Sequence, residues 1–400
     1  MLPSQTAAPL PTPSLAPELG VRGEVVIWTS YDPLELESLQ RVIELFIIEN
    51  PDIDFALAYY SEDELLEAFK ELGASGRGPT VLIGPAQWGP ELDAMDEILD
   101  LSSLIDVELE SDVFPAAWDQ VRSEFSVMGL PLELKGVLLY RNRELAANAP
   151  ATVRDWIDVQ SVLASQDGVQ SSLDFGFIFS GAFISTCGGR LDTNADQGQL
   201  WGPVGLCWLE LLNDLAANSL VGFNHEQDYQ EFVSGESPWL IDLAERRPEL
   251  STALGPSRLA VNQWPVYSKR SLPLRGYVWT ENIYIASRTP SRDLEAAWAF
   301  ARFLLTPEAQ QIFADPSGAS HIPVVASAEL SDPLMVESSA MLRTGVPLPL
   351  ELFDQQFISE LENTIANVVV QGSQPIYALN LMQESLGLPV TLIPTATSSP

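Results

Sequence analysis

The sequence predicts a layered α/β protein of two domains. Three observations carry this. Its 400 residues exceed what one hydrophobic core usually holds. From Glu24 onward, short apolar runs alternate with stretches of helical period. The stretch from Arg275 to Val325 then joins a strand, two helices and a return to extended chain. With 46% hydrophobic and 19% charged residues, the chain is globular rather than disordered.

The elements follow in order. Glu24 to Trp28 is a continuous apolar run, read as a buried first strand. Tyr31-Asp32-Pro33 turns into a helix marked by Leu36, Leu39, Ile43, Phe46 and Ile47, and Asn50-Pro51 stops it. Ile53 to Tyr60 alternates as a second strand. Ser61 and Glu64 read as a capping box for a helix that Gly73 ends. Thr80 to Ile83 is a third strand, followed by the loop Gly84 to Pro90. Phe114, Ala117, Trp118 and Val121 mark a further helix. Thr152 and Asp155 cap the helix of Trp156 and Val159. Gly205 to Ala217 is helical, with Leu206, Leu209, Leu212 and Ala216 among its apolar positions. Tyr277 to Ala286 is rich in aromatic and β-branched residues, which favours a strand. Ser291 caps the helix of Leu294, Ala297, Trp298, Ala301 and Leu305. Thr306-Pro307 then ends it and opens another, with Ala309, Ile312 and Phe313 on its buried side. Ile376 to Ser385 is the last helix. No internal repeat is evident.

A strand leading into two helices joined by Leu-Thr-Pro-Glu-Ala-Gln, then Ser320-His321-Ile322-Pro323, resembles the C-terminal part of the extracellular solute-binding proteins of ABC importers, the maltose-binding-like group above all. Gly129-Leu130-Pro131 and Tyr140-Arg141-Asn142 resemble that family's first crossing between lobes, although Arg141 separates the usual Tyr-Asn pair. Gly188-Gly189-Arg190 resembles the turn before its central second-lobe helix. Phe232 to Asp242 resembles another of its elements. The Gly-then-Trp that usually follows is absent, and Leu243 and Glu245 stand there. The resemblance covers roughly Glu24 to Leu386 and rests on the order of elements more than on one motif. It implies a two-lobe, periplasmic-binding-protein-like fold, two separately cored halves with a three-crossing hinge and a ligand cleft between them. Lobe one is expected at 21–132 and 282–322, lobe two at 137–278 and 326–392. Residues 1–20 would be a Pro/Ala/Thr-rich linker and 393–400 a flexible tail. It also implies a monomer that carries a sugar or oligosaccharide to the permease subunits of a transporter.

Charge and motifs bound the alternatives. Asp and Glu total 55 against 20 Lys and Arg, a formal charge of -35. No basic face is available for nucleic acid or for an anionic membrane. No apolar run is long enough to span a bilayer, and no signal peptide is read in the sequence. The linker reads as the tether of a lipoprotein whose lipid-bearing cysteine would lie upstream, or as an ordinary terminus. Cys187 and Cys207 are compatible with one disulfide in an oxidising compartment, or with two small buried hydrophobes. His225 and His321 stand too far apart in sequence to suggest a metal cluster, and no cofactor is expected.

Sugars are held by aromatic rings on their C–H faces and by planar polar groups on their hydroxyls. Open α/β sheets bind ligands at strand ends. The candidates there are Tyr31, Asp32, Gln87 and Trp88, then Glu133 and Lys135 at the crossing. In the second lobe they are Asp174, Phe175, Phe179, Trp239 and Asp242, with Trp279 and Glu281 at the return crossing. Asp32 could serve only as a helix cap, Trp239 could pack within its strand, and Glu133 and Lys135 could simply pair. Trp28, Trp118, Trp156, Trp208 and Trp298 are assigned to packing. Catalysis has little material: no Gly-x-Ser-x-Gly, His-Glu-x-x-His or Walker loop occurs, and only two histidines are present. The remaining alternatives are a binding protein or sensor for a polyamine or peptide, and a secreted glycosidase that uses paired carboxylates.

Overall fold

The computed structural model describes residues 21–73, 75–167, 173–191, 200–217, 221–222, 225–350, 355–388 and 390. The expected linker at 1–20 and tail at 393–400 lie outside them. β1 (Gly23–Thr29) pairs in parallel with β2 (Ile53–Tyr59) and β3 (Val81–Pro85). The helix Pro33–Glu49 returns the chain between β1 and β2. Its buried Leu39, Val42, Ile43 and Phe46 recur every three to four residues, the period of one helix face. β4 (Leu130–Asn142) carries the chain out of this first lobe.

β4 is the structural axis. Its first half pairs with β11 (Tyr277–Ile285) and β12 (Ile322–Pro323). Its second half pairs with β7 (Trp239–Leu243) and β8 (Leu259–Asn262) in the second lobe. Gly136 lies between the halves at φ 155°, where a Cβ would stand 2.4 Å from the Tyr277 carbonyl oxygen. Only glycine lets β4 and β11 approach so closely there. β11 is antiparallel to both β3 and β4, and β13 (Val346–Pro347) adds beside its start. Short pairs β5 (Leu173–Asp174) with β6 (Val221–Gly222), and β9 (Val266–Tyr267) with β10 (Leu272–Pro273), complete the strands among the described residues.

The cores depart from a clean division into halves. The second lobe has its own cluster around Trp156, Phe183, Trp208, Trp239 and Leu361. The cluster under the first-lobe helices does not stop at the hinge. It continues through Leu138, Tyr140, Leu240 and Leu254. The reason is the two-residue period of β4: Leu132, Leu134, Leu138 and Tyr140 share one face, since Gly136 keeps the alternation in step. Met335 and Leu342, on the helix Pro333–Leu342, belong to the same cluster. One face of the hinge is therefore packed, and only the other is left for polar side chains.

Local expectations meet small differences. Thr152 and Asp155 exchange backbone hydrogen bonds as a capping box, and Thr306 caps the helix Pro307–Phe313. Ser61 instead donates its hydroxyl to the Glu64 carboxylate at 2.7 Å. Pro290, not Ser291, occupies the cap of the helix Ser291–Phe303. The helix around Phe114 shortens to Pro115–Trp118. Cys187 and Cys207 are joined in a disulfide with Cα atoms 6.0 Å apart, which settles the alternative left open by sequence.

Candidate functional site

The polar face of the hinge is built by register. On the β4–β11 ladder, Trp279 stands opposite Lys135 and Glu281 opposite Glu133, so all four project to one side. A register shift between Glu281 and Asn282 bends β11 just beyond them. Lys135 Nζ lies 3.2 Å from Glu281 Oε2 and 3.7 Å from Glu133 Oε2. Burial alone would lower the lysine pKa, but the Glu281, Glu133, Glu245 and Glu35 carboxylates together hold it well above its usual range. Burial raises the Glu281 pKa, with Lys135 opposing and Glu133 adding to the rise.

Two further elements close this cluster. His321, directly before β12, places Nε2 2.9 Å from Glu35 Oε1 and 3.5 Å from Glu133 Oε2. Its ring stacks on Phe313 at 5.4 Å and meets the edge of Tyr31 at 5.5 Å. Burial works to lower the His321 pKa, yet Glu133 and Glu35 outweigh it and raise the value. From the second lobe, Arg247 donates to the Ser320 carbonyl and hydroxyl oxygens at 2.5 and 2.8 Å. Glu245 follows β7 at the mouth of the cluster, exposed to solvent. Tyr31 Oη and Glu133 Oε2 are buried without a hydrogen-bond partner.

A second cluster lies at the ends of β5 and β7 in the second lobe. Asp242 is fully buried and accepts from Leu243 N–H at 2.7 Å. His225 Nε2 stands 3.1 Å from the same Asp242 oxygen. That bond is the main reason the His225 pKa is raised. Phe179 stacks on the His225 ring at 4.8 Å. Asp174 accepts from Gly176 N–H at 2.7 Å, and burial pushes its pKa up.

The structure thus gathers Tyr31, Glu133, Lys135, Trp279 and Glu281 at the hinge, and Asp174, Phe179 and Asp242 in the second lobe. It disperses the others. Asp32 is the helix cap: its Oδ1 accepts from Leu34 and Glu35 N–H at 2.8 and 2.9 Å, and Glu35 accepts from Asp32 N–H. Phe175 and Trp239 are fully enclosed in the second-lobe core, edge-on to Phe183 and Trp156. Gln87 and Trp88 form a short helical turn after β3, and Trp88 covers Gly84 in a separate cluster with Trp28, Leu65 and Tyr284. Sequence reasoning missed Glu35, Glu245 and His321 at the hinge, and His225 and Asp228 on the helix His225–Val233 and Glu362 on the helix Gln355–Val369, which lie around Asp174 in the second lobe. Glu35 and His321 lie 286 positions apart, so no local spacing could have joined them.

Glu35, Glu133 and His321 also form the one trio among the described residues whose ligand atoms all lie within 4.8 Å of one another. Lys135 already sets a positive charge against it, and the raised His321 pKa favours the imidazolium over a ligating imidazole. The trio is better described as part of an ion network than as a metal site.

The profile of the bacterial extracellular solute-binding protein family matches residues 42–341 of the chain. The chain belongs to that family. A maltotriose-binding protein of Pyrococcus abyssi is 23% identical over 336 residues, covering 78% of this chain and 68% of the relative. Among solved structures, a cyclo/maltodextrin-binding protein complexed with maltotetraose superposes with a TM-score of 0.80 at 15% identity, over 92% of this chain and 98% of the other. The cyclic α-maltosyl-1,6-maltose-binding protein of Arthrobacter globiformis gives 0.78 at 16%, over 91% and 98%. At those identities the likeness is one of fold, and it is the two-lobe fold with strands shared across the hinge. In this solute-binding protein the hinge cluster and the second-lobe cluster flank the same strand end, since Asp242 and Glu245 are three positions apart at the end of β7. Among the described residues no helix is long and apolar enough to cross a membrane.

Proposed function

We propose that this solute-binding protein captures a sugar or oligosaccharide between its lobes and delivers it to the permease subunits of an ABC importer. The observation that carries the reading is the pair of cross-strand steps Trp279–Lys135 and Glu281–Glu133. They set an indole, half-buried against the second-lobe core, beside two carboxylates and an ammonium on the hinge face opposite Leu132 and Leu134. Sugar hydroxyls suit the carboxylates and the ammonium, and a C–H face suits the indole. The maltotriose- and maltodextrin-binding relatives support the same ligand class. Ligand contacts from both lobes would favour a closed form, reached by bending where β4, β11 and the chain after β12 pass between lobes. The lobes given above (21–132 with 282–322, and 137–278 with 326–392), the monomeric state and a lipid tether upstream of residue 20 belong to this proposal.

The protein is proposed to bind without catalysis. A calorimetric screen of maltooligosaccharides, other neutral sugars and linear amines, with chromatography of each mixture after incubation, tests this. Binding of a neutral oligosaccharide that is recovered intact is the expected result. Recovery of shorter sugars would indicate a carboxylate-dependent glycosidase instead.

A further inference from the structure

The second-lobe cluster holds more buried carboxyl groups than its one imidazole can partner. Three carboxyls, Asp174, Asp228 and Asp242, share one imidazole, that of His225, and Glu362 lies beside Asp174. Asp242 uses one oxygen for His225 and Leu243, and its Oδ2 has no hydrogen-bond partner. Asp228 is 1% exposed, and neither of its oxygens meets hydrogen-bond geometry. Burial, then the charges of Asp174 and Glu231, push its pKa up to about 8, against His225 and the Asp174 N–H. Glu362, from the helix Gln355–Val369, accepts from Phe177 N–H at 2.5 Å beside Asp174. Burial raises its pKa too, against the Phe177 bond.

The nearby cations do not balance this group. Arg246 lies near enough to act on Asp242, but its hydrogen bond goes to Glu249 at 2.8 Å and its guanidinium lies over the face of Tyr229. Lys135 and Arg247 are engaged at the hinge. A bare metal ion fits poorly, because the one trio of ligand atoms close enough to share an ion among the described residues lies elsewhere. A group with several N–H donors spread over a wider shell fits better. The cluster is not sealed: Asp174, His225 and Glu362 are partly exposed.

We propose that the second lobe carries a subsite for a protonated amine, so that the natural ligand is a basic, amine-bearing saccharide. Buried carboxylate oxygens without donors are costly, and an ammonium group would supply both donors and charge. This inference rests on the sugar reading above and narrows it.

Calorimetry at pH 7 and moderate salt would compare a glucosamine trimer, its fully N-acetylated counterpart, maltotriose and spermidine. The expected result is at least about tenfold tighter binding of the glucosamine trimer than of its acetylated form. That preference should shrink toward unity in Asp228→Asn and in Asp242→Asn, with thermal unfolding confirming that each variant is folded. Two results would overturn the amine subsite and leave the sugar reading intact: neutral saccharides binding as well as the glucosamine trimer, or a preference that survives both substitutions. Binding of spermidine alone, or of no probe, would overturn both.

Discussion

The two charged clusters of this molecule are built from similar residues and reach opposite states. At the hinge, Glu133 and Glu281 are answered by Lys135 on the adjoining strand positions, and Glu35 by His321. In the second lobe, Asp174, Asp228 and Asp242 share His225. Buried charge is tolerable where the opposite charge is built in, and it waits for a partner where it is not. The hinge cluster therefore reads as a preorganised wall, and the second-lobe cluster as one that ligand completes.

The contrast is broken most severely at Lys135. Replacing Lys135 with Met would leave Glu133 and Glu281 buried and facing each other without their ammonium. We expect a loss of about 3 kcal/mol in unfolding free energy, read by urea titration. Opening the disulfide comes next. Cys187→Ala with Cys207→Ala releases a loop with a sequence separation of 20 in the second lobe only. About 3 kcal/mol at most should be lost there. Hydrogen exchange should place the added opening in the second lobe and spare the first.

Asp228→Asn should act in the opposite direction to Lys135→Met. With its folded pKa near 8, Asp228 costs stability once the pH rises above the unfolded carboxyl value, and the cost grows until the folded value is passed. The amide should therefore stabilise the ligand-free protein at pH 9 by about 1–3 kcal/mol and change little at pH 4. A destabilised variant at pH 9 would mean that Asp228 already has a counter-charge. The smallest effect is that of His321. Its folded pKa is raised, so its contribution is complete below the unfolded value of about 6.5 and fades as pH rises through the folded one. Glu35 behaves inversely: its folded pKa is lowered from 4.5, so its contribution holds above that value and fades as pH falls through the folded one. The joint contribution of this pair is therefore greatest between about 4.5 and about 6.5. His321→Gln should flatten the alkaline decline, read as a smaller loss of unfolding free energy between about pH 6 and about pH 9.

The fold was largely legible because its signals are local. The buried first strand, the capped helix at Pro33 and the Thr306-Pro307 junction each announce themselves within a few residues. The helices Pro333–Leu342 and Gln355–Val369 escaped notice although signals exist: Asp332 caps the first, and Phe357, Leu361, Ile365 and Val368 line a face of the second. The site was legible only in part. Glu133, Lys135 and Glu281 could be suspected from their place at a crossing, but strand register decided that they face one another. His321 and Glu35 meet only through tertiary packing. Asp32 and Trp239 had ordinary roles open to them, and cap geometry and core packing took them. The continuous core beneath the hinge was also hidden, because it depends on a two-residue alternation surviving across Gly136.

That packed face bears on the central claim, because lobes sharing a core on one side can close only by bending toward the other. Small-angle scattering with and without a saccharide shown by calorimetry to bind tests this most directly. The expected result is a smaller radius of gyration at saturation. An unchanged radius with a bound sugar would contradict it.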